Sequence, residues 1–458
     1  MYDLIVIGGG PAGYVAAIRA TQLGMRTAIF EKNQVGGTCL NVGCIPTKAL
    51  FHSAALAHTI ETSAASGVNS TLTGIDFGKV MQRKDMVVKK LVGGVEYLLK
   101  KNKVDVIEGA AKFTSTKKVV NSSSGKTYEA KNILIATGSE NSAPPIPGMD
   151  GKNVLDSTAL LSLGTMPKSI AIIGGGVIGC EFANIFSTFG AKVTVVEKLP
   201  AILANMEASL SLQLEKQFKQ KGIEVLCNTR LNAVHDAGKE KEIVCTREGR
   251  ESVVRAEYVL VATGRKPCGT DLALDRVGVK TTDCGWVKVD DFMQTSVPGI
   301  YAAGDVTGMS FLAHAAFEEG IIAVENMKGA RRKMNYRSIP KAVFVETEIS
   351  SVGLTEKEAK AQGYDVLLGY FNMAANGKAL TMDQSEGFVK VVSEKKNHEI
   401  LGIHMMCSNA SEMVTTATTL LATESLLEDV AATIYPHPSV SEALREACLD
   451  ALGMAIHA

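Results

Sequence analysis

Two stretches of this 458-residue chain repeat one pattern. "DLIVIGGGPAGYVAAIRATQLGMRTAIFEK" runs from Asp3 to Lys32, and "SIAIIGGGVIGCEFANIFSTFGAKVTVVEK" from Ser169 to Lys198. Each reads as an apolar strand, a glycine turn, a helix and a second strand ending in Glu-Lys. Each carries G-x-G-x-x-G, as Gly8, Gly10, Gly13 and as Gly174, Gly176, Gly179, with an acid 18 residues further on, Glu31 and Glu197. The first glycine makes the tight turn. The second lets backbone approach a pyrophosphate, and the third lets helix pack on strand. The helix N-terminus offers unpaired N–H groups to phosphates, and the acid accepts from a ribose hydroxyl. Strand–helix–strand units of this kind give parallel sheets with helices on their faces, so the expected class is α/β with two Rossmann-like dinucleotide-binding domains.

The rest of the chain fits two nucleotides that pass electrons. "NILIATGS" contains Thr137 and Gly138, and "YVLVATGRKP" contains Gly264. Each reads as a buried strand ending in Ala-Thr-Gly, a crossover that closes its unit. "GIYAAGDVTG" is a third strand, ending in a turn at Asp305, where an acid could bind a sugar alcohol. Composition excludes several other classes. Lys+Arg and Asp+Glu both number 48, so no broad nucleic-acid footprint or polybasic membrane surface is expected. No run of 18 apolar residues suits a membrane span. The chain opens directly on a strand, with no charged n-region or cleavage site, so a cytoplasmic location is expected.

"GGTCLNVGCIPTK", from Gly36 to Lys48, sets Cys39 and Cys44 five apart in a glycine-rich loop. The other seven cysteines are scattered singly, which suits a reducing compartment. A metal clip, a structural disulfide and a redox pair are the three readings of Cys39 and Cys44. Zinc wants four ligands at short, paired spacings, and no second pair lies nearby in the sequence. A disulfide closing so small a loop would add little. Pro46 marks a helix start just after Cys44, and a helix N-terminus stabilises a thiolate.

With "GGTCLNVGCIPTK", both fingerprints, "GDVTG", "LAHAAFEEG" and "HPSVSEALREA", the chain resembles the pyridine nucleotide-disulfide oxidoreductase family along essentially its whole length. "LAHAAFEEG" and "AANGKAL" (Ala374 to Leu380) are most similar to its lipoamide branch. The resemblance implies FAD in the first unit, NAD in the second and no metal. It implies that Cys39 exchanges with substrate while Cys44 lies against the flavin ring. By the same matching, Lys48 and Glu181 form an ion pair near the flavin, and Ala111, Ala313 and His314 line the cofactor. The substrate implied is a dihydrolipoyl group on a separate acyltransferase or carrier protein of a 2-oxo acid dehydrogenase or glycine cleavage complex, since no lipoyl domain precedes Met1. Reduction of another disulfide, or a mainly structural role in a complex, are the alternatives. The first usually brings extra terminal cysteines, and an intact Cys39, Cys44, His437 set argues against the second.

A thiol must ionise before it exchanges, and histidine is the natural acceptor near neutral pH. His437 precedes Pro438, which keeps it extended. "SVSEALREACLDAL" then reads as a helix with Ser439 and Glu442 in a capping box, while the resemblance has Glu442 hold the His437 ring. The expected domains are 1–143 (FAD, first part), 144–267 (NAD), 268–337 (FAD, second part) and 338–458, an α/β domain that the family uses to form a homodimer. "KGARRKMNYR" (Lys328 to Arg337) reads as a solvated linker. "VFVETEISSVG" (Val343 to Gly353) lacks a proline-containing variant common in the family, and the expectation is that this bears on the interface domain, not on the redox centre.

Overall fold

The computed structural model describes residues 1–268 and 270–457, so Ala458, the end expected for the last domain, lies outside the described residues. The first sheet has a parallel core. Asp105–Glu108, Thr27–Glu31, Tyr2–Ile7 and Thr127–Ile135 lie side by side, and Ile300–Ala302 joins the far side of Thr127–Ile135. The chain therefore leaves this sheet and returns to it more than 160 residues later. Lys118–Asn121 and Ala111–Ser115 extend it antiparallel as a small flap. Leu4, Ile5, Val6, Ile133, Leu134 and Ile135 are all fully buried. Such continuous apolar runs are what a sheet covered on both faces requires.

The second sheet repeats the device. Glu224–Leu226, Lys192–Val196, Ser169–Ile173, Tyr258–Val261 and Val154–Asp156 are parallel and adjacent in that order. A three-stranded antiparallel sheet, Thr229–Ala237, Glu240–Arg247 and Arg250–Ala256, lies beside it in sequence. Ser139–Asn141 and Arg265–Pro267 pair antiparallel, which ties the two passages of chain that link the first two sheets. The last sheet is antiparallel throughout, in the order Lys341–Val343, Ile349–Gly353, Ile400–Met406, Phe388–Glu394, Val366–Asn372. Among the described residues, no helix is long and apolar enough to cross a membrane.

One apolar cluster draws from all three sheets' surroundings. Leu50 comes from the helix after the cysteines, Phe182 and Phe186 from the helix of the second fingerprint, and Val343, Val345 and Phe388 from the C-terminal third. The lobes therefore share a seam, and residues 343–349 thread through it. The basic stretch expected to be a solvated linker is mostly exposed, but it is pinned at several points. Arg332 pairs with Glu318 and Glu325, and the Tyr336 hydroxyl donates to Glu319 at 2.8 Å.

Candidate active site

Both fingerprint helices begin one residue past the second glycine: Pro11–Gln22 follows Gly10, and Val177–Thr188 follows Gly176. Neither start has a side-chain cap, so the first-turn N–H groups are free for a ligand. The third glycines are forced by packing. A Cβ on Gly13 would sit 1.8 Å from the Gly8 carbonyl oxygen, and one on Gly179 would sit 2.0 Å from that of Gly174. Around the second glycines there is room: a Cβ on Gly176 would meet nothing within 4 Å, and one on Gly10 only the Gly37 Cα at 3.8 Å. This is the cradle a pyrophosphate fills.

The two acids do a job beyond the one expected of them. Glu31 accepts the Gly9 N–H at 2.7 Å and the Asn33 N–H at 2.8 Å. Glu197 accepts the Gly175 N–H at 2.6 Å and the Leu199 N–H at 2.7 Å. Each carboxylate thus stiffens its own glycine turn. With about four lone-pair directions it keeps capacity for ribose hydroxyls.

Asp305 sits at the returning strand's end. Ser139 Oγ donates to it at 2.5 Å, and Arg265 Nε lies 3.6 Å away while donating to Ser139 Oγ at 2.6 Å. Burial pushes the Asp305 carboxyl up, opposed by Ser139 and Arg265. Thr137 donates to the Cys268 carbonyl at 2.7 Å, Gly138 accepts the Cys268 N–H at 3.0 Å, and Gly264 accepts the Ser142 N–H at 3.0 Å. These three residues lock the crossing strands. Ala111 has its side chain in the apolar core, so only its backbone could face a ligand. Ala313 starts the helix Ala313–Met327, again without a side-chain cap. His314, which the resemblance sets beside the cofactor, meets the Pro340 carbonyl at 2.8 Å and so ties this helix to the C-terminal third.

The cysteines straddle a break between two helices. Gly37–Val42 carries Cys39, Gly43 interrupts, and Cys44 is the first residue of Cys44–Thr62. Both are free thiols. A hydrogen bond from Cys39 lowers Cys44 to about 7; burial opposes this and the Lys48 ammonium assists. Cys39 is pushed well up, by that same hydrogen bond and by burial. The pair is therefore biased toward a thiolate on Cys44, the direction the helix N-terminus also favours. Lys48, one turn on, bonds both oxygens of Glu181 at 2.8 and 2.9 Å. Glu181 is almost fully buried.

The expectation that Val343–Gly353 bears only on the interface domain is overturned. Phe344 donates its N–H to Glu181 Oε1 at 3.1 Å, and its ring centroid lies 4.6 Å from Lys48 Nζ. The segment reaches the redox centre because it runs through the shared seam.

His437 Nδ1 lies 2.9 Å from Glu442 Oε1, and the ring is 80% exposed. Burial pushes the Glu442 carboxyl up, but the Ser439 N–H and the His437 ring hold it below its ordinary value. The capping box expected of Ser439 and Glu442 is only half formed. Glu442 accepts the Ser439 N–H at 2.7 Å, but the helix starts at Glu442, two residues too late for Ser439 to cap it. The Ser439 hydroxyl turns to Ser441 instead. Glu442 therefore serves both as anchor and as partner of His437. Asn376, inside "AANGKAL" and buried, donates to the Ser439 carbonyl at 3.1 Å and so steadies the segment that carries the histidine. The structure brings Cys39, Cys44, Lys48 and Glu181 together; it gives His437 no polar contact with them.

Glu319 escaped the sequence reading. It is fully buried, accepts the Gly304 N–H at 2.6 Å and the Tyr336 hydroxyl at 2.8 Å, and burial pushes it up to about 7. Its signal was there: in Ala313–Met327 it lies on the stripe of Ala315, Ala316 and Ala323, where an acid is out of place.

Residues 2–320 match the model of the pyridine nucleotide-disulphide oxidoreductase family, and residues 339–448 that family's dimerisation domain. A dihydrolipoyl dehydrogenase of Geobacillus stearothermophilus is 41% identical over 99% of this chain and 97% of its own. A mitochondrial dihydrolipoyl dehydrogenase of Pisum sativum is 38% identical over 99% of this chain and 92% of its own. Among solved structures, LpdA of Mycobacterium tuberculosis superposes with a TM-score of 0.89 at 27% identity, covering 97% of this chain and 98% of that one. The HOCl-induced flavoprotein disulfide reductase RclA of Escherichia coli gives 0.87 at 28%, covering 98% and 99%.

Proposed function

The chain belongs to the pyridine nucleotide-disulphide oxidoreductase family, and we propose that it works there as a dihydrolipoyl dehydrogenase, with FAD in the first glycine cradle and NAD+ in the second. One observation carries the reading: two free thiols flank the break between two helices, polarised toward a Cys44 thiolate by the helix start, beside a half-buried Lys48–Glu181 ion pair that draws on both fingerprint units. A structural thiol pair has no use for such polarisation.

In the disulfide form, a substrate thiolate attacks Cys39 Sγ. The S–S bond breaks and Cys44 leaves as a thiolate, which Lys48 and the helix start stabilise. His437 takes the proton of the second substrate thiol. That sulfur attacks the substrate sulfur of the mixed disulfide, closes the lipoyl disulfide and releases the Cys39 thiolate, which takes the proton back from His437. Glu442, which can only accept when ionised, fixes the proton on His437 Nδ1 and leaves Nε2 to act as the base. FAD bound there would supply the two-electron carrier between the Cys39–Cys44 dithiol and NAD+. Gly8, Gly10, Gly13, Glu31 and Asp305 would hold the first nucleotide, and Gly174, Gly176, Gly179 and Glu197 the second.

The working form is a homodimer in which residues 338–458 form the interface and residues 1–143 with 268–337 make the flavin lobe. His437 is exposed in its own chain and serves the cysteine pair of the partner, as a two-fold interface allows. The protein is cytoplasmic, and its substrate arrives on a lipoyl-bearing acyltransferase or carrier protein of a 2-oxo acid dehydrogenase or glycine cleavage complex. Steady-state turnover of free dihydrolipoamide with NAD+ tests the reading. Turnover that is absent with dihydrolipoamide but present with another disulfide or dithiol couple would replace it.

A further inference from the structure

Phe344 belongs to neither glycine turn, yet it touches both members of the ion pair beside the thiols. Its N–H holds Glu181 and its ring faces Lys48 Nζ at 4.6 Å. Phe51, three residues past Lys48 on the same helix, meets that ring edge-on with centroids 6.0 Å apart. Val343 and Val345 on either side are buried in the seam, so the ring is held in place from three directions.

We propose that Phe344 is a positioning residue for the Cys44 thiolate: its ring clamps the Lys48 ammonium against Glu181 so that the cation stays on the side of Cys44. The inference rests on the reading of Cys44 as the charged thiol of the redox pair. A lysine is a point charge on a flexible four-carbon stem. Its side chain here is 31% exposed, so water competes for it. Glu181 disfavours the Cys44 thiolate and Lys48 favours it. Which effect prevails depends on where the cation rests, and an aromatic face is a second, directional attraction that a carboxylate alone lacks. The C-terminal third thereby sets a property of the redox centre of its own chain.

The test uses the FAD-loaded protein carrying Cys39→Ser, which leaves Cys44 as the one thiol of the pair. Its ionisation is titrated twice, by flavin–thiolate charge-transfer absorbance and by ultraviolet thiolate absorbance, with the Cys44→Ser protein as blank. Adding Phe344→Leu, or Phe344→Met where bulk is needed for folding, raises the midpoint by about half a pH unit, the size of a lost cation–π contact at a part-exposed site. Phe344→Tyr, which keeps the ring face, leaves the midpoint within about a third of that shift. An unmoved or lowered midpoint in the Leu and Met variants overturns the proposal, and so does a Tyr variant that shifts as far as they do. Absence of the charge-transfer band at every pH in Cys39→Ser strikes the reading of Cys44 as the thiol facing the flavin, and the ultraviolet titration then decides Phe344 alone.

Discussion

The two glycine turns are built alike and used differently. In each, the carboxylate that ends the second strand takes the N–H of the middle glycine, Gly9 or Gly175. In each, that same glycine's carbonyl accepts from chain a few residues further on: Gly36 in the first unit, Leu203 in the second. What comes next differs. After Gly36 the chain makes Gly37–Val42 and delivers Cys39, and Gly37 packs so close that a Cβ there would sit 2.6 Å from the Gly10 Cα. After the second turn it delivers Ile202, Leu203 and Met206 into the apolar seam. One turn is roofed by reactive loop; the other stays open above Gly176. A fingerprint therefore marks where a dinucleotide lies, while the segment that closes the turn decides whether chemistry happens there. This fits a resident cofactor in the first unit and an exchanging one in the second.

The sharpest way to break that comparison is to block each turn. Gly13→Ala and Gly179→Ala both drive a Cβ into a carbonyl, at 1.8 and 2.0 Å. Overpacking of this kind costs about 1–3 kcal/mol or more. Gly13→Ala should purify with little or no flavin absorbance per chain. Gly179→Ala should purify yellow, still reduce its flavin with dihydrolipoamide, and turn over poorly because NAD+ no longer seats. If both variants lose flavin equally, the division of labour between the turns is wrong.

His437 touches neither turn, so its removal should spare both nucleotides and stop only the thiol step. His437→Ala is expected to lower turnover by about 10²–10⁴-fold, the usual worth of a positioned base, with flavin content unchanged. Co-expression with Cys39→Ser under separate tags gives mixed dimers in which one site has intact cysteines and a histidine from the other chain. About half the native activity per mixed dimer, as one working site in two requires, supports action across the interface. Activity no higher than in either mutant homodimer assigns the histidine to its own chain or removes it as the base.

Glu319 separates the turns by pH. It lies behind Gly304, beside the returning strand of the first unit. Its carboxyl is raised from 4.5 to about 7 by burial. A raised carboxyl binds its proton more tightly in the fold than in the unfolded chain. Its stabilising effect is therefore complete below about pH 4.5 and is lost as pH rises through about 7, a loss on the order of 3 kcal/mol. Thermal unfolding of the FAD-loaded protein should fall less steeply between pH 5 and pH 8 in Glu319→Gln than in the native chain. Parallel slopes would mean that the carboxyl is not perturbed.

Some of this was plain in the sequence. The fingerprints and the cysteine pair are local: spacing within some 30 residues fixes which atoms meet. The same holds for His437 and Glu442, five residues apart, although their helix starts later than the capping pattern implied. Phe344, Glu319 and the set of Ser139, Arg265 and Asp305 are not local. Phe344 meets Lys48 and Glu181 across 296 and 163 residues, through a seam that forms only when three lobes pack. Glu319 carried a local signal, an acid on an alanine stripe, but its partner Gly304 is named only by the fold. Glu31 and Glu197 show a third case: their position was legible, but their first task, holding the turn, was not.

The smallest expected effect tests those two glutamates against each other. On the proposed assignment Glu31 serves a nucleotide that stays, whereas Glu197 must choose one from solution. A ribose hydroxyl donates to a carboxylate, but a 2′-phosphate brings about two negative charges to the same place. The residues that follow, "KLPAIL", supply no arginine, and Lys198 is exposed. Catalytic efficiency with NAD+ should therefore exceed that with NADP+ by about tenfold or more, the equivalent of about 1.4 kcal/mol. Glu197→Gln keeps one acceptor for two backbone N–H groups, so efficiency with NAD+ should drop by about tenfold as one N–H loses its partner. Efficiency with NADP+ should drop less, because the same change removes the repulsion. The ratio therefore narrows even though both numbers fall. Higher efficiency with NADP+ in the native protein, or a ratio that Glu197→Gln leaves untouched, would show that this carboxylate holds the turn and does not read the nucleotide.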